Sequence, residues 1–353
     1  MTVVAERTAK DHLLLFLREA GKCGASDLHL TAEAAPAVRI EGGLRYMDTP
    51  ALTGADIQAM FLAMTSEAQQ KKFTEDTEID LAYQAEGMRF RINAFKQRGQ
   101  TALAIRIIYS SIRSLEELGH PAVLRQMSFC KHGLLLITGT TGSGKSTTLA
   151  AIVDLLNRTQ AYHIITLEDP IEYVHLHRKS IVNQREAGTD FRSFSGALRA
   201  ALREDPDVIM VGELRDRETV QTALIAAETG HFVLGTLHTF DATEAVLRIE
   251  SLFPAHQQEQ IRLQLSQVLQ GIAAQQLLPG KDGGGRVCAM EILRAVPAIR
   301  NLIREGKSPQ ISSQLQMGGA LGMRTMDMAI QDLLQAGKIS RETARVYAKN
   351  EKF

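Results

Sequence analysis

The stretch LLLITGTTGSGKSTTL, residues 134–149, decides the fold. Its leading apolar residues predict a buried strand, and a glycine-rich turn and a helix-compatible run follow. The turn fits the pattern G-x-x-x-x-G-K-[ST], in which backbone N–H groups curl round an anion at the positive end of a helix. We predict that Lys145 reaches the β- and γ-phosphates and that the Ser146 hydroxyl binds Mg²⁺. The predicted nucleotide-binding residues are Gly139, Thr140, Thr141, Gly142, Ser143, Gly144, Lys145, Ser146 and Thr147.

Composition limits the class of protein. The chain has 353 residues, enough for two domains, and its 40 Lys plus Arg balance its 40 Asp plus Glu. Zero net charge disfavours a dedicated nucleic-acid binder, so no nucleic-acid partner is expected. There is neither an apolar signal-peptide core nor an apolar run of roughly 18 residues. We therefore expect a cytoplasmic protein that meets membranes only through partners.

The three cysteines are far apart in sequence. Cys23, Cys130 and Cys288 form neither a zinc-finger spacing nor a disulfide framework. We predict that they are small core residues in a reducing compartment.

The first third of the chain predicts a small α+β domain that ends near residue 110. Amphipathic periodicity predicts a helix over residues 9–20, and residues 53–72 are also predicted to be helical. Alternating or β-branched runs predict strands at 25–30, on either side of Gly42-Gly43, and at 79–85, 89–95 and 101–108. Residues 113–132 are interpreted as a linker that contains a helix.

From residue 133 the pattern changes to alternating strands and helices. We predict strands at 134–138, 163–167, 207–211 and 231–236, and helices at 145–157, 193–203 and 216–229. This alternation is typical of a parallel sheet covered by helices, so the fold class is α/β. The remainder, from about 241, is predicted to be mostly helical, with one strand at 286–293.

Acidic residues follow two of these strands. Glu213 ends DPDVIMVGE, and Glu168, Asp169 and Glu172 end HIITLEDPIE. Ligands bind at the carboxyl ends of parallel strands, where carboxylates can organise Mg²⁺ or the attacking water. A solvated strand-end acid is the alternative for Glu213, and a capping Asp-Pro turn accounts for Asp169 alone.

Two histidines frame the next strand. His238 is predicted at the same edge as Glu213, and His231 at the opposite end, where a subunit contact is one reading. A lone histidine is more often structural than catalytic, so both readings stay open.

Two arginines are predicted to face each other in the first domain. If Arg98-Gly99 is a two-residue turn, Arg91 lies opposite Arg106 and Ile92 opposite Ile105. Like charges directly opposed destabilise a sheet, and a bound anion would relieve them. Two solvated arginines on an exposed face are the alternative, and a one-residue shift of register would remove the argument.

An amphipathic helix is predicted from Ala298 to Glu305. Ile299, Leu302 and Ile303 share one face, and Arg300 and Arg304 lie on another. Such a helix can dock on a partner, but an ordinary surface helix has the same pattern. The full segment is Ala298, Ile299, Arg300, Asn301, Leu302, Ile303, Arg304 and Glu305.

Taken together, these segments resemble the PilT family of type IV pilus retraction motors, among the secretion-type hexameric ATPases. ASDLHL, RFRINAFKQRG, GTTGSGKSTTLAAIVD, HIITLEDPIEYVH, AAETGHFVLGTLHT and AIRNLIRE carry the resemblance. It implies a PAS-like domain over residues 1–112 and a RecA-like ATPase domain over 133–353. Thr140 departs from the proline usual in the family, at a variable position of the loop. The chain lacks the long N-terminal domain and four-cysteine zinc insertion of the pilus-extension relatives, which favours retraction.

The resemblance also implies residue roles. Glu213 is expected to be the catalytic glutamate, Glu168 an acid of the active site that contributes with Ser146 to Mg²⁺ binding, and His238 a His-box residue. Arg91 and Arg106 correspond to arginine fingers that act on a neighbouring subunit. Ala298 to Glu305 corresponds to the segment tied to retraction.

The function that the resemblance implies is an ATP- and Mg²⁺-dependent homo-hexameric motor for pilus retraction and twitching motility. It would work peripherally at the inner-membrane pilus base, on a platform protein, with or without an accessory retraction ATPase. A PilU-like accessory motor, another RecA-like motor of secretion or nucleic-acid type, and a non-catalytic nucleotide-binding scaffold are the alternatives.

Overall fold

The computed structural model describes residues 8–40, 43–85, 88–108, 112–283 and 285–349. The chain divides into two compact units, Met1–Ser111 and Ile112–Phe353. The segment interpreted as a linker lies within the second unit, where Leu115, Val123 and Leu124 are buried against the sheet. The domain limits at residues 112 and 132 stay predictions. Among the described residues, no helix has both the length and the apolar character to cross a bilayer.

The first unit is an antiparallel sheet with three helices. Its elements are α1 (Ala9–Lys22), β1 (Asp27–Leu30), β2 (Ala37–Ile40), β3 (Gly43–Tyr46), α2 (Gly54–Met64), α3 (Glu67–Asp76), β4 (Glu78–Ala85), β5 (Met88–Gln97) and β6 (Gln100–Ile108). The six strands run in the order β3-β2-β1-β6-β5-β4. Leu13 of α1, Phe61 of α2 and Phe90 of β5 meet in one apolar core. The α+β prediction is confirmed, although Gly42 lies outside the described residues.

The prediction that residues 53–72 are helical is confirmed, and the chain forms two helices there, α2 and α3. Ser66 begins α3 as its N-cap. The Gln69 N–H donates to Ser66 Oγ at 3.4 Å, and the Ser66 N–H donates to Gln69 Oε1 at 2.9 Å. This reciprocal capping box satisfies backbone donors at a new helix start, so the helical propensity of the segment is divided between two helices.

The turn between β5 and β6 sets their register. Arg98 and Gly99 both have left-handed backbone angles, with φ of 50° and 77°. A two-residue turn of this kind matches the twist of a hairpin. Arg91 consequently lies opposite Arg106, and Ile92 opposite Ile105, as predicted.

The second unit is a mixed sheet with helices on both faces. Its elements are α4 (Ala122–Met127), β7 (Gly133–Thr138), α5 (Lys145–Thr159), β8 (His163–Glu168), β9 (Ile181–Glu186), α6 (Phe194–Ala201), β10 (Val208–Val211), α7 (Arg217–Glu228), β11 (Phe232–Leu237), α8 (Ala242–Ser251), α9 (Ala255–Val268), β12 (Leu269–Pro279), β13 (Arg286–Arg294), α10 (Pro297–Arg304), α11 (Ile311–Met317), α12 (Met326–Gln335) and α13 (Arg341–Tyr347). The seven strands run in the order β13-β12-β7-β11-β10-β8-β9. All neighbours are parallel except β12 and β13.

Strand β7 lies in the middle of this sheet and is buried on both faces. Leu134 and Leu136 pack among α6 to α11, whereas Leu135 and Ile137 pack against α4 and α5. The alternating sides of one strand therefore supply two cores, which explains its uninterrupted apolar sequence.

Two strands of the sheet were not predicted. β9 is a polar edge strand, and β12 lies in a region predicted to be helical. β12 follows α9 without an intervening turn, and only the strand β13 was expected beyond residue 241. The prediction of a mostly helical remainder is therefore incomplete, because β12 pairs with β7 beside the nucleotide-binding loop.

The prediction that the cysteines are core residues is wrong for Cys23. This side chain is exposed after the end of α1, while Cys130 and Cys288 are partly buried. Burial raises the pKa of the Cys288 thiol to about 12, so this group stays protonated near neutral pH.

Candidate active site

The loop from Gly139 to Gly144 joins β7 to α5 and has the backbone of an anion cradle. Gly139, Gly142 and Gly144 have φ of 148°, 77° and 89°. A Cβ atom on Gly139 would lie 2.5 Å from the Gln275 carbonyl oxygen and 2.5 Å from Ser143 Oγ. Only glycine fits there, so the loop lies directly against β12.

Lys145 begins α5 and turns back over the loop. Its Nζ donates to the carbonyl oxygens of Gly139 and Thr140 at 2.7 and 2.9 Å. Burial lowers the pKa of Lys145, and the nearby carboxylates of Glu213 and Glu172 oppose this effect. Lys145 is thus a buried cation on which the charges of Glu213 and Glu172 act.

The acids at the end of β8 and just after it lie in two environments. Ser146 Oγ donates to Glu172 Oε1 at 3.0 Å, and Thr147 Oγ1 lies 2.8 Å from the Tyr173 hydroxyl. The residue that meets Ser146 is therefore Glu172, an exposed acid, whereas Glu168 is hydrogen-bonded elsewhere. Glu172 was part of the predicted acid cluster, but its contact with Ser146 was not predicted.

Glu168 is buried at the end of β8. Its Oε1 accepts from Thr166 Oγ1 at 2.6 Å and from Gln184 Nε2 at 3.0 Å. Burial raises the pKa of this carboxyl to about 7, against the opposing effect of these two donors. The predicted role of Glu168 in catalysis and in Mg²⁺ binding stays a prediction.

Glu213 follows β10 and His238 follows β11, and the structure brings them together. Glu213 Oε1 lies 3.2 Å from His238 Nε2 and 2.7 Å from Arg215 Nε. The Thr236 hydroxyl donates to the Gly212 carbonyl oxygen and so joins the two strand ends. His231 lies at the opposite end of β11, where its Nδ1 contacts the Ala226 carbonyl oxygen at 3.0 Å. The predicted separation of the two histidines is confirmed.

Arg91 and Arg106 lie on the exposed face of the first unit, and both have acidic partners. Arg91 Nη2 is 3.8 Å from Asp80 Oδ2, and Arg106 Nε donates to Asp27 Oδ1 at 3.1 Å. These carboxylates already offset the opposed positive charges. The opposed charges are therefore weaker evidence for a bound anion than the sequence suggested, and the role of Arg91 and Arg106 as arginine fingers stays a prediction.

The segment from Ala298 to Glu305 lies mainly in α10. Ile299 and Ile303 are buried, as the pattern predicts, and Leu302 is partly buried. Arg300 Nη1 donates to the carbonyl oxygens of Ser266 and Gln267 at 2.7 Å each. Arg300 thus caps the carboxyl end of α9, and Arg304 is the exposed arginine of the segment.

Two further residues are hydrogen-bonded to this site and were missed because β9 and β12 were missed. Gln184 of β9 donates to Glu168 and also to the Tyr173 carbonyl oxygen at 2.8 Å. Gln275 of β12 donates to the Ser143 carbonyl oxygen at 2.6 Å. In the sequence, each is a polar residue in a strand whose pattern is not a clean alternation.

The central parallel strands with this loop at their carboxyl edge form a RecA-like P-loop ATPase domain. The profile of the family described as type II/IV secretion system protein matches residues 8–298. The chain is 49% identical to the type IV pilus retraction ATPase PilT of Pseudomonas aeruginosa over 93% of this chain and 95% of that protein. It is 47% identical to a twitching motility protein of Neisseria gonorrhoeae over 89% of this chain and 84% of that one.

A solved structure agrees with these relatives. The crystal structure of a pilus retraction motor PilT with bound ADP superimposes with a TM-score of 0.90 at 50% identity, over 96% of this chain and 98% of that one. The chain belongs to the type II/IV secretion system protein family and, within it, is of the PilT type. It is an ATPase.

Proposed function

We propose that this ATPase is a hexameric motor that powers retraction of a type IV pilus. The observation that carries the proposal is the meeting of Lys145, Ser146, Glu172, Glu213 and His238 at one edge of the sheet. Full-length similarity to PilT proteins supports the retraction role. The cellular place that follows is the cytoplasmic side of the inner membrane, at the pilus base and against a platform protein.

The loop fits a nucleotide with Mg²⁺. Glycines in left-handed conformations turn backbone N–H groups inward, and the start of α5 adds its positive end. The Ser146 hydroxyl, which donates to Glu172, and the Glu172 carboxylate are oxygen ligands of the kind that a hard cation prefers, and both lie beside the loop. When bound there, Mg²⁺ would neutralise part of the phosphate charge. Lys145 would exchange its two loop carbonyl groups for phosphate oxygens.

Glu213 is the residue that we expect to orient the attacking water. Arg215 and His238 fix its carboxylate from two sides, so one oxygen is held while the other can accept from water. His238 also links the carboxylate to β11, so a displacement of Glu213 would shift the end of that neighbouring strand. Closure around the γ-phosphate and its release on hydrolysis would then drive the mechanical step.

Arg91 and Arg106 are proposed to complete the site of a neighbouring subunit in the ring. Both side chains are exposed, at 44% and 66% of their full area, and can change partners without breaking a core. An arginine that reaches the transferring phosphate adds about 10³–10⁵ in rate. In this proposal Asp80 and Asp27 hold the arginines when they are not engaged.

The test is steady-state ATP turnover with the mass of the particle measured in the same buffer. We expect a hexamer whose turnover falls at least about 100-fold in Glu213→Gln, with Glu259→Gln, at an exposed position of α9, as the control. Arg91→Ala and Arg106→Ala should lower kcat, whereas Arg45→Ala on the same sheet should not. Wild-type protein that binds ATP but shows no turnover as a hexamer would refute the motor.

Cell assays separate the remaining alternatives. A retraction motor should restore twitching to a strain without its own retraction ATPase, and its Glu213→Gln variant should not. Restoration only when another retraction ATPase is present would indicate a PilU-like accessory. Salt-dependent binding of DNA together with DNA-stimulated turnover would indicate a nucleic-acid motor instead.

A further inference from the structure

Strand β12 forms a wall beside the nucleotide-binding loop. Ala274 pairs with Thr138, the last residue of β7, and Gln275 follows beside Gly139. The Gln275 side chain is 1% exposed, and its Nε2 donates to the Ser143 carbonyl oxygen at 2.6 Å. A Cβ atom on Gly144 would lie 3.1 Å from the same Nε2. Gln275 therefore contacts the loop at Ser143 and Gly144.

A loop that aims its N–H groups inward at an anion has carbonyl groups that point outward, and these need donors of their own. Lys145 donates to the carbonyl oxygens of Gly139 and Thr140. The exposed Arg286 donates to the Gly142 carbonyl oxygen over a long distance of 3.4 Å. The Ser143 carbonyl oxygen accepts from Gln275, which is buried.

These donors differ in permanence. Lys145 is required by phosphate in the proposed function, so its two contacts with the loop are exchangeable. Arg286 is exposed and its contact is weak. The contact from Gln275 is short, buried and independent of the phosphate, so it can persist through the cycle.

The amide oxygen of Gln275 lowers the stability of the folded protein. This oxygen, Oε1, is buried and has no hydrogen-bond partner among the residues that the structure describes. A leucine of similar volume would leave no such acceptor buried. The benefit of an amide here is therefore the single bond from Nε2 to the loop.

We propose that Gln275 is a positioning residue that holds the loop in its anion-binding shape through the Ser143 carbonyl group. The proposal rests on nucleotide binding by this loop. It assigns to β12 a direct part in affinity for the diphosphate portion shared by ADP and ATP. Because the contact is made to the loop and not to the γ-phosphate, both nucleotides depend on it equally.

The experiment measures the Kd of ADP by isothermal titration calorimetry for wild type, Gln275→Leu, Gln275→Glu and a control. The control is Gln270→Leu, because Gln270 Nε2 donates to the His132 carbonyl oxygen at 3.0 Å from the opposite end of the same strand. Loss of one neutral hydrogen bond predicts a Kd raised about 5-fold in Gln275→Leu. The control should bind like wild type.

Gln275→Glu adds a readout that a general packing defect would not give. An ionised carboxylate cannot donate to Ser143, whereas a protonated one can. The ratio of the variant Kd to the wild-type Kd should be larger at pH 8 than at pH 6, since burial raises the pKa of a carboxyl group. If Gln275→Leu does not fold, this ratio decides the question alone.

The outcomes are distinguishable. Wild-type protein that does not bind ADP contradicts the proposed function. Wild-type binding, with Gln275→Glu showing the wild-type Kd at both pH values, overturns the positioning role of Gln275. Equal weakening in Gln275→Leu and Gln270→Leu overturns it as well, because the effect would then belong to β12 in general.

Discussion

Glu168 should make the stability of the ATPase unit depend on pH. Its side chain is 8% exposed, and burial raises its pKa from 4.5 to about 7. Between these values the folded protein holds a proton that the unfolded chain has released. The free energy of unfolding therefore falls as pH rises through this window, and the contribution is complete below about pH 4.5 and lost above about pH 7.

The magnitude follows from the shift. At 1.36 kcal/mol per pKa unit, Glu168 contributes about 3 kcal/mol to the difference between the two ends of the window. Glu168→Gln removes the titration but retains the shape and an oxygen for Thr166 and Gln184. Any cost of the new amide is the same at every pH, so only the slope of stability against pH carries the information.

The assay is urea unfolding followed by circular dichroism at several pH values between 5 and 8, because the chain has no tryptophan. Relative to wild type, Glu168→Gln should gain about 2.5 kcal/mol between pH 5 and pH 8, slightly less than the full value because the contribution is not yet complete at pH 5. Glu305→Gln is the flat control, since Lys307 and Asn301 lower the pKa of this exposed carboxyl. It is largely ionised in both the folded and the unfolded chain between pH 5 and 8, so its profile should run parallel to that of wild type. Profiles of Glu168→Gln and wild type that run parallel would refute the reasoning.

Three further perturbations test other parts of the structure. Glu291 accepts from the N–H groups that begin α8 and α12, so Glu291→Ala should lower the free energy of unfolding by about 2–5 kcal/mol in urea titrations; a loss below about 1 kcal/mol would contradict the capping role. Arg300→Ala removes two charge-assisted hydrogen bonds to the end of α9 and should cost about 1–3 kcal/mol by the same measurement, whereas Arg304→Ala should cost almost nothing. Lys145→Ala should weaken ADP binding at least about 100-fold in calorimetry while the circular dichroism spectrum stays unchanged, and retained affinity would exclude the loop as the nucleotide site.

Much of the fold was predictable because its signals are local. The strand β7, the glycine loop and α5 have three different sequence patterns in succession. Each pattern depends only on residues that are close together in the sequence. The register of β5 and β6 was predictable because a two-residue turn determines every later pair. Where a signal depends on distant residues, prediction failed. Strand β12 has small and apolar residues on both sides because it lies inside the sheet, so its sequence shows no alternation.

The sequence predicted at which edge of the sheet the site lies, but not which side chains are in contact there. Strand order places Glu168, Glu213 and His238 at the carboxyl ends of parallel strands. Which acid meets Ser146 depends on the irregular chain after Glu168, and Glu172 reaches it there. The opposed arginines were correctly paired, yet their acidic partners come from β1 and β4, and only the assembled sheet shows those contacts.

The two hydrogen bonds of Glu291 bear on where the chain can be shortened. The family profile ends at residue 298, but one oxygen of Glu291 serves α8 before that point and the other serves α12 after it. Leu278 and Ala289 of the β12–β13 hairpin also pack against Met326 and Ile330. A protein that ends at residue 298 would expose the apolar surface of this hairpin, and the buried Glu291 carboxylate would lose one of its two hydrogen bonds. We expect such a fragment to aggregate, so the smallest ATPase unit that can be prepared alone extends through α13.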